Sequence, residues 1–148
     1  MLQWVVDVCG LDRPYDALVP FVSACAGDHL STAQWLARKF DIDPRDVREI
    51  CEAALIRACA AGRLTVARWF TDEARLTRTD LRRMENYPLR AACMNGHFAI
   101  VLWLCDHFRL EKRDMEDGFP PEHRPPNLAR NNDHAFLAEW LEKKFCTA

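Results

Sequence analysis

Apolar positions along this chain form a block that returns every 34 residues. Laid back by 34 positions, the stretch from Tyr87 to Leu110 puts Leu89 on Leu55, Ala92 on Ala58, Cys93 on Cys59, Gly96 on Gly62, Trp103 on Trp69 and Leu110 on Leu76. A second shift carries the pattern into Phe21, Ala24, Cys25, Leu30, Trp35, Phe40 and Ile42. The Trp residues, at 4, 35, 69, 103 and 140, fall one per block, and each is followed by an apolar residue. A fixed period of this length marks a solenoid, whose units bury their apolar faces only against their neighbours. Within a block the apolar residues predict two helices, split by Gly27-Asp28, Gly62 or Gly96. Glycine suits a left-handed helix end because it has no Cβ to clash. In the first block Asp28, not Gly27, aligns with Gly62 and Gly96, which leaves the turn geometry there open.

The chain divides into a half repeat over 1–14, repeats over 15–52, 53–86 and 87–118, a Pro-rich loop over 118–126 and a capping repeat over 127–148. The predicted fold is all-α, a solenoid of about four helix pairs with short helical or irregular connectors. Thr77 with Asp80 reads as a capping box, and Asp43-Pro44 as a cap before a first-turn proline. Nothing breaks the stretch from Val47 to Ala61, so a longer helix is expected there. Four Pro between Gly118 and Pro126 predict an extended loop. Glu139, Glu142, Lys143 and Lys144 give the last helix the charged outer face of an end cap. Trp35, Trp69, Trp103 and Trp140 are expected to fill the core, so that Trp69→Ala costs about 3–5 kcal/mol.

The run Tyr87-Pro88-Leu89-Arg90-Ala91-Ala92 and the step Asn95-Gly96-His97 resemble the opening and the later Gly-His of the ankyrin repeat. Ala54-Leu55-Ile56-Arg57-Ala58 is a fainter copy. A Trp in the second helix, with connectors such as Leu76-Thr-Arg-Thr-Asp-Leu-Arg82, looks like the divergent ankyrin arrays of large DNA viruses and some protists. The resemblance implies a non-catalytic scaffold or adaptor that binds another protein through a concave face of connectors and first helices, in the host cell if viral. The connectors depart from the family, whose repeats form a β-hairpin finger there.

Composition narrows the alternatives. A net charge of −2 gives no global pull toward nucleic acid or an acidic membrane. No apolar run is long enough to span a bilayer, and Asp7 interrupts the only N-terminal candidate for a signal peptide. Cys25, Cys59 and Cys93 share one repeat position, so they stand about 10 Å apart, beyond the roughly 7 Å Cα limit for a disulfide. The seven Cys therefore read as buried thiols in a reducing compartment, cytoplasmic or nuclear, with no metal and no cofactor. His29, His97 and His134 recur at the starts of second helices, which suits hydrogen bonding within the stack rather than catalysis.

The candidate partner-binding residues are Arg45, Arg48, Arg57, Arg78, Arg82, Arg83, Arg90, Met94 and Asn95. The arginines form a stripe suited to carboxylates on a partner protein with an acidic patch. Alternatively they form a solvated face with local Arg–Asp pairs. A stripe would let charge reversal at Arg78, Arg82 and Arg83 weaken partner capture without unfolding. Nucleic acid bound by the same arginines is the competing function, and a steep loss of affinity with salt distinguishes it. The first helix bears Leu2, Trp4, Val5 and Val8 with few charges, so a homodimer through residues 1–11 is expected.

Overall fold

The computed structural model describes residues 14–42 and 48–146. A short 3-10 turn at Pro14–Ala17 leads into α1 (Leu18–Ala26) and its partner α2 (Leu30–Lys39). The long helix α3 (Arg48–Ala60) pairs with α4 (Leu64–Glu73), and a connector helix α5 (Arg78–Arg83) follows. Then come α6 (Tyr87–Met94), α7 (Phe98–His107), the connector helix α8 (Lys112–Glu116), α9 (Pro125–Asn131) and α10 (Ala135–Cys146). First helices stack in sequence, α1 on α3, α3 on α6 and α6 on α9, and each packs on its own second helix. The described residues therefore form an all-α solenoid of helix pairs.

The repeat composition explains that stacking. Phe21, Leu55 and Leu89 are fully buried at one first-helix position, and Cys25, Cys59 and Cys93 at another. Ala24, Ala58 and Ala92 lie beside them, and their small side chains let adjacent helices approach to about 8–10 Å. On the second helices Ala33, Ala67, Val101 and Ala138 are fully buried. Leu36, Phe70, Leu104 and Leu141 join them, and each of these four directly follows a Trp.

The tryptophans themselves are only half-buried, packed against the margin of the core. This corrects the expectation that Trp35, Trp69, Trp103 and Trp140 fill it. Consecutive helical residues point about 100° apart, so when the following residue faces inward the Trp is turned to the flank. Trp69 lies edge-on to Phe21 and Phe70, with ring centroids 6.3 and 6.1 Å away.

The turns keep one register throughout. Gly62 and Gly96 have φ of 77° and 70°, and Asp28 and Asp133 take the same conformation at 64° and 65°. Gly27 does not, with φ −82°. Aspartate tolerates the left-handed region better than most residues, which resolves the turn left open above. At the middle turns glycine is required for space as well: a Cβ on Gly96 would stand 2.5 Å from the His134 ring. Gly96→Ala should therefore cost about 2–4 kcal/mol, combining left-handed strain with overpacking. Urea unfolding measures this, and a loss below about 1 kcal/mol would mean that the ring simply moves aside.

Two boundaries shift. The division at 52/53 falls inside α3, the long helix expected over this region. The Pro-rich loop is partly helical, with a 3-10 turn at Pro121–His123 and Pro125 and Pro126 in the first turn of α9. Proline fits there because the first helical N–H groups have no partner and its φ is preset. The half repeat before Pro14, the dimer residues Leu2, Trp4, Val5 and Val8, the Asp43-Pro44 cap and Arg45 lie outside the described residues.

Candidate interaction surface

The connectors come first, because they decide which arginines are free. Thr77 and Asp80 form the expected capping box at the start of α5, with Thr77 N–H donating to Asp80 Oδ2 at 2.9 Å. One repeat later Glu111 and Asp114 form the same box at α8, with Glu111 N–H donating to Asp114 Oδ2 at 2.7 Å. The Asp114 side chain is wholly buried. Arg78 donates to its Oδ2 through Nη2 at 2.6 Å and Nε at 3.1 Å, and Arg82 Nε donates to its Oδ1 at 2.6 Å. Arg78 also reaches Glu111 at 3.0 Å, and Asn86 Nδ2 donates to the Asp114 carbonyl at 2.9 Å. Two connectors of adjacent repeats are thus joined through one carboxylate.

Burial alone would raise the Asp114 pKa. The hydrogen bonds from Arg82, the Glu111 N–H and Arg78 outweigh it together, and the carboxyl ends below its ordinary value of 3.8. The Arg78 guanidinium likewise holds Glu111 below the usual carboxylate range. Arg83 pairs with Glu52 on α3. Three arginines of the expected stripe therefore have acidic partners inside the chain. Sequence reasoning saw Asp80 as a local cap and missed that Asp114, at the same repeat position, collects arginines from the repeat before. The signal was present: Arg78 and Arg82 precede Asp114 by 36 and 32 residues, about one period.

Of the remaining candidates, Arg57, Arg90, Met94 and Asn95 lie along the outward side of the first helices and their ends. Val19 is 74% exposed, Tyr87 48% and Met94 44%. Val19, Ala53 and Tyr87 share one repeat position, and Val22, Ile56 and Arg90 share the next turn of the same face. Spacings of three, four and seven residues keep these side chains on one side of each helix. Arg57 and Asn95 are exposed there, and Asn95 Nδ2 donates to the Ala91 carbonyl at 2.8 Å. Arg90 is held between two rings, its guanidinium carbon 5.0 Å from the centroid of Tyr87 and 4.9 Å from that of Phe119. Arg48 is the first residue of α3. Tyr87 and Phe119 were not singled out from the sequence.

Of the three recurring histidines, His97 bonds to the neighbouring repeat. His97 Nε2 donates to the Ala60 carbonyl at the end of the previous first helix, at 2.9 Å. Arg63 occupies the equivalent place one repeat earlier and donates from Nε to the Ala26 carbonyl at 3.3 Å. Cys25, Cys59, Cys93 and Cys105 are free and buried. Burial pushes the Cys25, Cys59 and Cys105 thiols up to about 12, far from reactive thiolate. Among the described residues no group of His, Cys, Asp and Glu is placed to hold a metal ion, and no helix is long and apolar enough to cross a membrane.

Comparison with known families finds a model of ankyrin repeats, in three copies, matching residues 20–116 of the 148. No curated protein matches the chain, and no solved structure does.

Proposed function

This chain belongs to the ankyrin-repeat family, and on that premise we propose that it binds another protein through the exposed face of its first-helix row. Ankyrin repeats are in general protein–protein interaction modules. The observation that carries the choice of face is the exposure of Val19 and Tyr87 at one repeat position, with Met94 exposed two turns further along the helix of Tyr87. Exposed apolar side chains collected on one solenoid face mark an interface. The connector arginines support this reading less than the sequence suggested, because Arg78, Arg82 and Arg83 are neutralised within the chain. That neutralisation also weakens the nucleic-acid alternative, which needs several unspent cations along one path. The module is read as non-catalytic, with His97 spent on the end of the preceding first helix. The free, buried thiols of Cys25, Cys59, Cys93 and Cys105 suit a reducing compartment, cytoplasm or nucleus.

The test is quantitative capture from the native source with the intact chain as bait. Val19→Glu and Met94→Glu each place a charge on the first-helix face, at side chains that pack little, so melting should hardly change. Leu102→Glu makes the same change on a second helix, where Leu102 is 37% exposed. Partners that survive Leu102→Glu but disappear with both first-helix variants are expected. The opposite pattern would move the interface to the second-helix side.

A further inference from the structure

We propose that Arg90 is a preset receptor for one carboxylate of the partner protein, an inference that rests on the first-helix face being the interface. Arg90 differs from the neighbouring arginines in what holds it. Arg78, Arg82 and Arg83 end on Asp114, Glu111 and Glu52. Among the described residues no carboxylate lies against Arg90, and its Nε is buried without an acceptor. What fixes it is aromatic: Tyr87 on its own helix and Phe119 from the segment after α8 stand 5.0 and 4.9 Å from the guanidinium carbon.

Rings satisfy the faces of a guanidinium, not the N–H groups in its plane. The cation is therefore immobilised with its donors still unspent, and the rotamer entropy of binding has already been lost in folding. A carboxylate meeting the Nη edge accepts two parallel N–H bonds, the pairing that a planar fork favours. Tyr87 and Met94, both exposed on the same helix face, supply apolar contact on either side and lower the local dielectric. A cation framed by apolar side chains suits a single Asp or Glu side chain. A polyanion would find Arg78, Arg82 and Arg83 already paired.

A displayed library of short random peptides tests this with a defined probe. Peptides are selected on the intact chain and kept if Met94→Glu abolishes their binding. In those, replacing the acidic residue by its amide should weaken binding roughly tenfold to a hundredfold. Arg90→Gln should do the same, and combining the two changes should add little, because both remove one contact. Arg90→Lys should recover only part of the loss, since an ammonium lacks the fork. The peptide-side change leaves the protein untouched, so it decides even where an Arg90 variant is destabilised. Binders that need Met94 but bind Arg90→Gln equally well would overturn the carboxylate receptor alone. Binders indifferent to Met94→Glu would overturn the choice of face, and the receptor with it. An oligonucleotide that displaces the peptides in an Arg90-dependent manner would assign the site to phosphate instead.

Discussion

Replacing Arg78 and Arg82 together with alanine should lower stability by about 3 kcal/mol, a loss usually seen only in protein cores. Both arginines are partly exposed, at 24% and 41% of their side chains, and an exposed ion pair contributes little. The effect comes from what they leave behind. Asp114 has no exposed side-chain surface, so without them its charge stays buried with only the Glu111 N–H to support it. Acid should distinguish this from a simple packing loss. In the intact chain the folded-state pKa of Asp114 is depressed, so its contribution is full above 3.8 and falls away as pH drops through the lower folded value. The double variant should lose that acid-sensitive share. Urea midpoints at neutral pH and below pH 3.8 measure both effects, and equal losses at the two values would contradict the account. The same reasoning replaces the expectation that charge reversal at Arg78, Arg82 and Arg83 spares the fold. Two reversed charges beside Asp114 would repel it.

Phe70→Ala should cost about 3–5 kcal/mol, and Trp69→Ala distinctly less, although tryptophan is the larger side chain. Phe70 is 1% exposed and meets Phe21 and Trp69 within the core, with ring centroids 6.4 and 6.1 Å away. Trp69 keeps part of its ring in water. Truncating Phe70 opens a cavity enclosed by neighbours that cannot collapse, whereas the space left by Trp69 fills with solvent. Thermal or urea unfolding of the two variants ranks them. A Trp69 loss equal to or above that of Phe70 would return the tryptophans to the centre of the core.

These two predictions show where the sequence was legible. The helix pairs, their register, the capping box at Thr77 and the long helix before Ala60 follow from periodicity and turn chemistry, which are local. Even the deviation at Gly27-Asp28 preserves the period, because Asp28 takes the left-handed turn itself. The burial order within each Trp-apolar pair did not follow. A period of 34 fixes which residues are equivalent, but not which of two adjacent apolar residues points inward. The site was harder still. Arg78, Arg82 and Arg90 look alike in one dimension, and their difference lies in partners more than twenty-five residues away: Asp114 for two of them and Phe119 for the third. Only the juxtaposition of adjacent repeats separates a spent arginine from an unspent one.

The contacts that join one repeat to the next also limit how the array can be rearranged. The carbonyls of Ala26 and Ala60 take their donors from the repeat that follows, through Arg63 and His97. The carboxylate of Asp114 takes its side-chain donors from the repeat that precedes it. The junction between the second and third repeats is thus closed in both directions, by different chemistry. Units of this kind are not interchangeable beads. A copy inserted by duplication or exchanged by recombination keeps the stack sound only if it brings an Arg or His to close its predecessor's helix end. It must also meet the acid in its successor's connector. The transferable module here is the junction between two repeats, not the repeat itself.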